Sequence, residues 1–86
     1  MERYTSAAPD GYTAVGTYEQ IVSRLGRFED LVEYLLLRQR ELPKELAVYR
    51  ENGKTKSYRF RELLLEKMVN ETLLSLLHQF KLSDEP

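Results

Sequence analysis

From residue 17 onward, apolar residues recur at helical spacing over most of the chain. Tyr18, Ile21, Leu25, Phe28, Val32 and Leu35 follow one another at intervals of 3, 4, 3, 4 and 3, which draws one apolar stripe along a helix. Thr17 stands just before the stripe as a favoured N-cap, and Gln20 completes a Thr-x-x-Gln capping box. Gly26 lies inside this helix at a cost of about 1 kcal/mol relative to alanine, which suits a place where another element packs closely. Tyr34 and Leu37 fall off the stripe and ask for a second covering surface, a neighbouring subunit being one candidate.

Pro43 disrupts a helix interior but suits a first turn. The pattern therefore predicts that the first helix, begun at Tyr18, ends near residues 40–42 and that a short linking helix starts at Pro43 or Lys44. Leu46 and Tyr49 continue a spacing begun by Leu42, and Gly53 after Asn52 reads as a C-cap, followed by an extended connector. A rival expectation makes Asn52-Gly53 the turn of a β-hairpin over residues 46–59. Either way a last helical segment runs from about Phe60 to Leu82. At about 100° per residue, Phe60, Leu63, Leu64, Leu65, Met68 and Val69 centre on one side. Leu73, Leu74, Leu76, Leu77 and Phe80 centre nearly opposite. Two arrangements answer that reversal: Asn70 caps a new helix after a break, or one continuous helix is sandwiched, its second half against another chain. The fold expected is mostly α: two main helices, a short linking helix and an extended connector, the alternative being α+β with the hairpin at 46–59. Residues 1–16, with Pro9, Gly11 and Gly16 among small polar residues, read as a flexible lead. Residues 17–82 read as a single helical domain and residues 83–86 as a frayed tail.

At 86 residues the chain has room for one thin core. Its 13 basic and 14 acidic residues leave a net charge of -1, short of the positive excess that binding to a polyanion usually requires. The absence of cysteine removes disulfides, thiolate metal sites and cysteine nucleophiles together. It also favours an intracellular, cytoplasmic setting, since small secreted domains usually need covalent staples. The first residues carry no apolar secretory core, and no apolar run approaches a membrane span.

Candidate chemistry is sparse. Lys54, Lys56, Arg59 and Arg61, with Tyr58 and Phe60 between them, form a basic-aromatic stretch. Cations there can meet phosphates and Tyr58 can stack on a base. In an extended conformation, however, alternation splits the charges between two faces. His78 is the one histidine and has no nucleophile motif or metal-ligand spacing beside it. Glu29, Asp30 and Glu33, and then Glu62 and Glu66, lie among basic residues and read as surface ion pairs. The four glycines are isolated, so no phosphate loop is present. The apolar stripe passes Gly26 without changing phase, which argues against a helix-turn-helix.

Two stretches carry a resemblance. TYEQIVSRLGRFEDL, residues 17–31, resembles the opening helix of small prophage proteins of low-GC Gram-positive bacteria. GKTKSYRFRELLLEKMVNETLLSLLHQF, residues 53–80, resembles the C-terminal part of other small phage-type proteins, in which a G-K-x-K-[ST] phrase leads into a leucine-rich helix. The resemblance implies a mobile-element origin within a bacterium and brings no catalytic residue, since no activity is described for such proteins. The residues themselves lead to a non-enzymatic interaction or assembly module without a cofactor. Its contacts are expected from Leu73, Leu77 and Phe80, and its partner is expected to be a second copy, in a homodimer, or a host or phage protein. A membrane partner is not expected. The alternative is a small nucleic-acid-binding regulator using Lys54, Lys56, Tyr58, Arg59 and Arg61.

Overall fold

The computed structural model describes residues 1–82. It is mostly α, with a small antiparallel β-hairpin ahead of two long helices: β1 (Thr5–Ala8), β2 (Gly11–Ala14), α1 (Tyr18–Glu51) and α2 (Tyr58–Gln79). The chain divides into two compact units, Met1–Leu31 and Val32–Pro86, and the division falls inside α1.

In the first unit, residues expected as part of an irregular lead form the hairpin. Ala8 pairs with Gly11 and Thr5 with Ala14, so the turn is Pro9-Asp10, with Gly11 supplying the left-handed backbone at φ 140°. Proline pre-sets the first turn position and glycine accepts the positive φ. An isolated two-stranded hairpin is marginal in water, and here it is latched to the helix that follows. Arg24 lies 3.8 Å over the Tyr4 ring, and its Nη1 donates to the Glu2 carbonyl at 2.7 Å. The Val15 amide donates to the Tyr4 carbonyl at 2.8 Å. The capping box forms as expected. Thr17 Oγ1 accepts from the Gln20 amide at 3.1 Å, and Gln20 Oε1 accepts from the Thr17 amide at 3.0 Å. Gly26 does not mark a close approach, since a Cβ built there meets nothing within 4 Å.

In the second unit α1 continues straight through Pro43, so the expected break and short linking helix do not occur. The lost hydrogen bond and the ring clash cost about 3 kcal/mol. Leu42 and Leu46, the fully buried side chains on either side of the proline, offset that cost, at about 1.5–3 kcal/mol for each. α1 ends in a Schellman motif: the Gly53 amide donates to the Arg50 carbonyl at 3.2 Å and the Lys54 amide to the Tyr49 carbonyl at 2.8 Å, with Gly53 at φ 66°. Helix, glycine and connector is therefore the arrangement, and no hairpin forms at 46–59. The connector is a tight turn, not an extended segment. Ser57 caps α2, its Oγ accepting from the Phe60 amide at 3.1 Å.

Across this turn α1 and α2 meet through side chains from Arg38 to Tyr49 and from Phe60 to Glu66. Leu42, Leu46, Phe60 and Leu63 form the core, with Tyr49 and Leu64 against it. The Tyr49 and Phe60 rings lie 6.1 Å apart, tilted by 42°. α2 does not break at Asn70 and stays helical to Gln79. The fraying expected of residues 83–86 lies outside the described residues.

Candidate interaction surface

The inward side of α2 follows Phe60, Leu63, Lys67, Asn70, Leu74 and Leu77, spaced 3, 4, 3, 4 and 3. All six are buried or half-buried. The stripe is straight, with two polar residues at its middle. The apparent reversal of face arises from counting apolar positions alone, because Leu65, Met68 and Val69 belong to the outside.

A second face results. At about 100° per residue, Leu65, Met68, Val69, Leu73, Leu76 and Phe80 share one arc on the side away from the inward stripe, and all six are exposed. Exposure reaches 61% at Leu65 and 73% at Phe80 and falls to 39% at Leu73. Thr72 and Ser75 are small and leave a shallow depression beside Met68 and Leu76. Of the three residues expected to carry contacts, Leu73 and Phe80 lie on this outer face. Leu77 lies on the inward stripe, half-buried. Leu65, Met68, Val69 and Leu76 were not among the expected contact residues. Their 4- and 3-residue steps with Leu73 and Phe80 are visible in the sequence once Lys67 and Asn70 are granted inward positions.

One ionic cluster joins α1 to α2 behind that face. Arg38, its side chain 13% exposed, donates from Nε to Glu66 Oε2 at 2.6 Å and from Nη2 to Glu66 Oε1 at 3.1 Å. Its Nη1 donates to Glu41 Oε2 at 3.1 Å, and Nη2 lies 2.8 Å from Glu45 Oε2. The hydrogen bonds from Arg38 hold the Glu66 carboxyl below its ordinary value, against the upward push of burial. The same bonds, Glu66 first and Glu45 next, raise the guanidinium further above its own. Glu66, expected in a surface pair along its own helix, instead pairs across the two helices.

The basic-aromatic residues occupy the turn and the first turn of α2. Lys54, Lys56, Tyr58, Arg59 and Arg61 are all exposed. The helix separates Arg59 from Tyr58 and Arg61 by roughly 100–160° around the axis, and Arg59 lies 4.0 Å from Glu62. Phe60 is not available for stacking: it is in the core, with the Arg50 guanidinium 5.5 Å over its ring. His78 is exposed in the last turn of α2. Among the described residues no group of three or more histidine, cysteine or acidic side chains is arranged to hold a metal. No helix among them is long and apolar enough to cross a membrane. Neither a protein-family model, a curated protein nor a solved structure matches this chain.

Proposed function

We propose that the protein is a non-enzymatic interaction or assembly module that docks through the outer face of α2. The observation that carries this is the six-residue apolar arc from Leu65 to Phe80, exposed along most of a helix whose opposite side already serves the core. A contiguous apolar stripe of that kind marks an interaction site more often than a solvated face. Leu73 and Phe80 contribute directly, and Leu77 supports the helix from inside. The mobile-element resemblance of residues 17–31 and 53–80 and the absence of cysteine support a bacterial, cytoplasmic setting, with a copy of the chain or a host or phage protein as partner.

A nucleic-acid-binding role has less behind it. Its five residues are exposed, but they point around a helix end, one of them beside a carboxylate, on a chain of net charge -1.

The test is the double variant Leu73→Asp with Phe80→Asp, followed by circular dichroism and thermal melting. A docking face tolerates the change: helical content and melting midpoint stay near wild type, while the association of the wild-type chain is lost. Collapse of the helical signal would place this face in the chain's own core and overturn the proposal.

A further inference from the structure

We infer that Asn52-Gly53, at the C-terminal end of α1, is a site of spontaneous deamidation, held in check by the Schellman motif and released when that motif opens.

The chemistry follows from the residue pair. The Gly53 amide nitrogen, once it has lost its proton, can attack Cγ of the Asn52 side chain. A bond forms between that nitrogen and Cγ, the Cγ–Nδ2 bond breaks, and ammonia leaves with a proton in place of the lost bond. The product is a five-membered succinimide, which water then opens. Cleavage at Cγ restores the main chain and leaves aspartate. Cleavage at the Asn52 main-chain carbonyl leaves isoaspartate, in which the chain runs through the side chain. The balance is one amide and one water in, one carboxylic acid and one ammonia out. The residue after the asparagine governs ring closure, and glycine has no Cβ to obstruct it and the widest choice of backbone angles.

The chain contains its own contrast, since it has two asparagines. Asn52 and Gly53 are exposed, and nothing lies within 4 Å of where a Gly53 Cβ would stand, so the ring closes there without displacing a neighbour. Asn70 is 6% exposed, lies inside α2 and is followed by Glu71.

The closed cap opposes the reaction. The Gly53 N–H donates to the Arg50 carbonyl at 3.2 Å, which keeps the proton on the attacking nitrogen. The Asn52 amide donates to the Val48 carbonyl at 3.1 Å and the Lys54 amide to the Tyr49 carbonyl at 2.8 Å, so the backbone is fixed on both sides of it. Helix ends open at free energies far below that of global unfolding, and where reclosing is fast a reaction of the open form tracks its population. Once made, the product works against the cap. It sets an anion at the negative end of α1, and the extra main-chain methylene of isoaspartate carries the Gly53 and Lys54 amides away from their carbonyls. It also adds a negative charge to residues 50–61, which hold five cations and one acid.

The test incubates the full-length chain in mildly alkaline buffer, with and without guanidinium chloride, and follows aspartate and isoaspartate by peptide mass spectrometry and chromatography. Lys54→Pro removes the amide that bonds the Tyr49 carbonyl and restrains Gly53 while leaving Asn52-Gly53 intact, and circular dichroism checks that its helices persist. The expected result is conversion at Asn52 and not at Asn70 in buffer, faster by at least about tenfold in denaturant. Lys54→Pro should convert faster than wild type in buffer and at the wild-type rate in denaturant. No product at Asn52 even in denaturant would refute the site. Equal wild-type rates with and without denaturant would refute the protection, and a wild-type rate for folded Lys54→Pro in buffer would show that the Schellman motif is not what holds the reaction back.

Discussion

Arg38 and Glu66 form a two-pronged ion pair across α1 and α2, with Nε to Oε2 at 2.6 Å and Nη2 to Oε1 at 3.1 Å. The planar fork of the guanidinium fits a carboxylate in one orientation. The pair therefore fixes the lateral register of the two helices beyond what leucine packing specifies. Replacing Arg38 with methionine leaves Glu41, Glu45 and Glu66 facing one another without a cation. A fully buried pair broken in this way costs about 3–5 kcal/mol, and these carboxylates are partly solvated, so a loss of about 2–3 kcal/mol is expected. Urea denaturation of Arg38→Met measures it, and a change below roughly 0.5 kcal/mol would show the pair to be incidental.

The same pair gives an acid limb to stability. Glu66 is held below its ordinary value near 4.5 when folded. A carboxyl depressed by folding stabilises the native state fully above its unfolded value and loses that contribution as pH falls through the folded one. Arg38 stays charged throughout. Thermal midpoints should therefore hold above about pH 5 and fall as pH drops below the unfolded value. Glu66→Gln should begin less stable at neutral pH and show a shallower acid decline. Parallel acid profiles of the two proteins would count against Glu66 as the source.

Asn70 is 6% exposed, and its Nδ2 has no hydrogen-bond partner among the described residues. The amide helps to lower the Glu66 carboxyl, last among the causes, but no bond of ordinary hydrogen-bond geometry forms between the two side chains. A buried amide donor left unpaired costs about 1–3 kcal/mol. Asn70→Leu, at an inward stripe position, should raise the unfolding free energy by about 1–2 kcal/mol. A drop in stability would mean that the amide is satisfied in solution and that the leucine overpacks the seam.

Gly26 adopts helical backbone with open space where a Cβ would stand. Gly26→Ala should stabilise α1 by up to about 1 kcal/mol. The gain should appear as increased amide protection around residues 22–30. Unchanged exchange there would show that helix propensity does not limit this stretch.

Much of this fold is legible in the sequence where a local rule acts alone. Thr17 and Gln20 announce the start of α1, and Asn52-Gly53 its end, because caps are set by hydrogen bonds within a few residues. The Pro9-Asp10-Gly11 turn reads only as part of a flexible lead, because Ala7, Ala8 and Thr13 lend its strands little apolar signal. Pro43 misleads for a different reason. Its cost is local, whereas the burial of Leu42 and Leu46 that outweighs it is tertiary and becomes visible only when α2 is in place. Lys67 and Asn70 hide the inward stripe of α2 in the same way, since a pattern of apolar residues cannot register a polar side chain drawn inside. The outer face was half visible: Leu73 and Phe80 stand out, while Leu65, Met68 and Val69 look like core until the stripe beneath them is straightened.

Arg24 supports the hairpin from α1, its guanidinium over the Tyr4 ring at 3.8 Å and its Nη1 on the Glu2 carbonyl at 2.7 Å. An exposed cation–π contact contributes about 0.5–1 kcal/mol, and a hydrogen bond from a charged donor about 1.5–3 kcal/mol when well shielded. This bond is exposed, so the lower end applies. For a hairpin of two four-residue strands, that is enough to decide whether it stays formed. Arg24→Ala should therefore release the hairpin, with faster exchange of the Val15 amide, which now donates to the Tyr4 carbonyl. The unit that holds the Leu42, Leu46, Phe60 and Leu63 core should melt as before, because Arg24 is not part of that core. Arg24→Lys keeps the charge but loses the planar stack and should restore only part of the protection. If Val15 exchanges at the wild-type rate in Arg24→Ala, the strand ladder and the Val15–Tyr4 bond hold the hairpin without the latch.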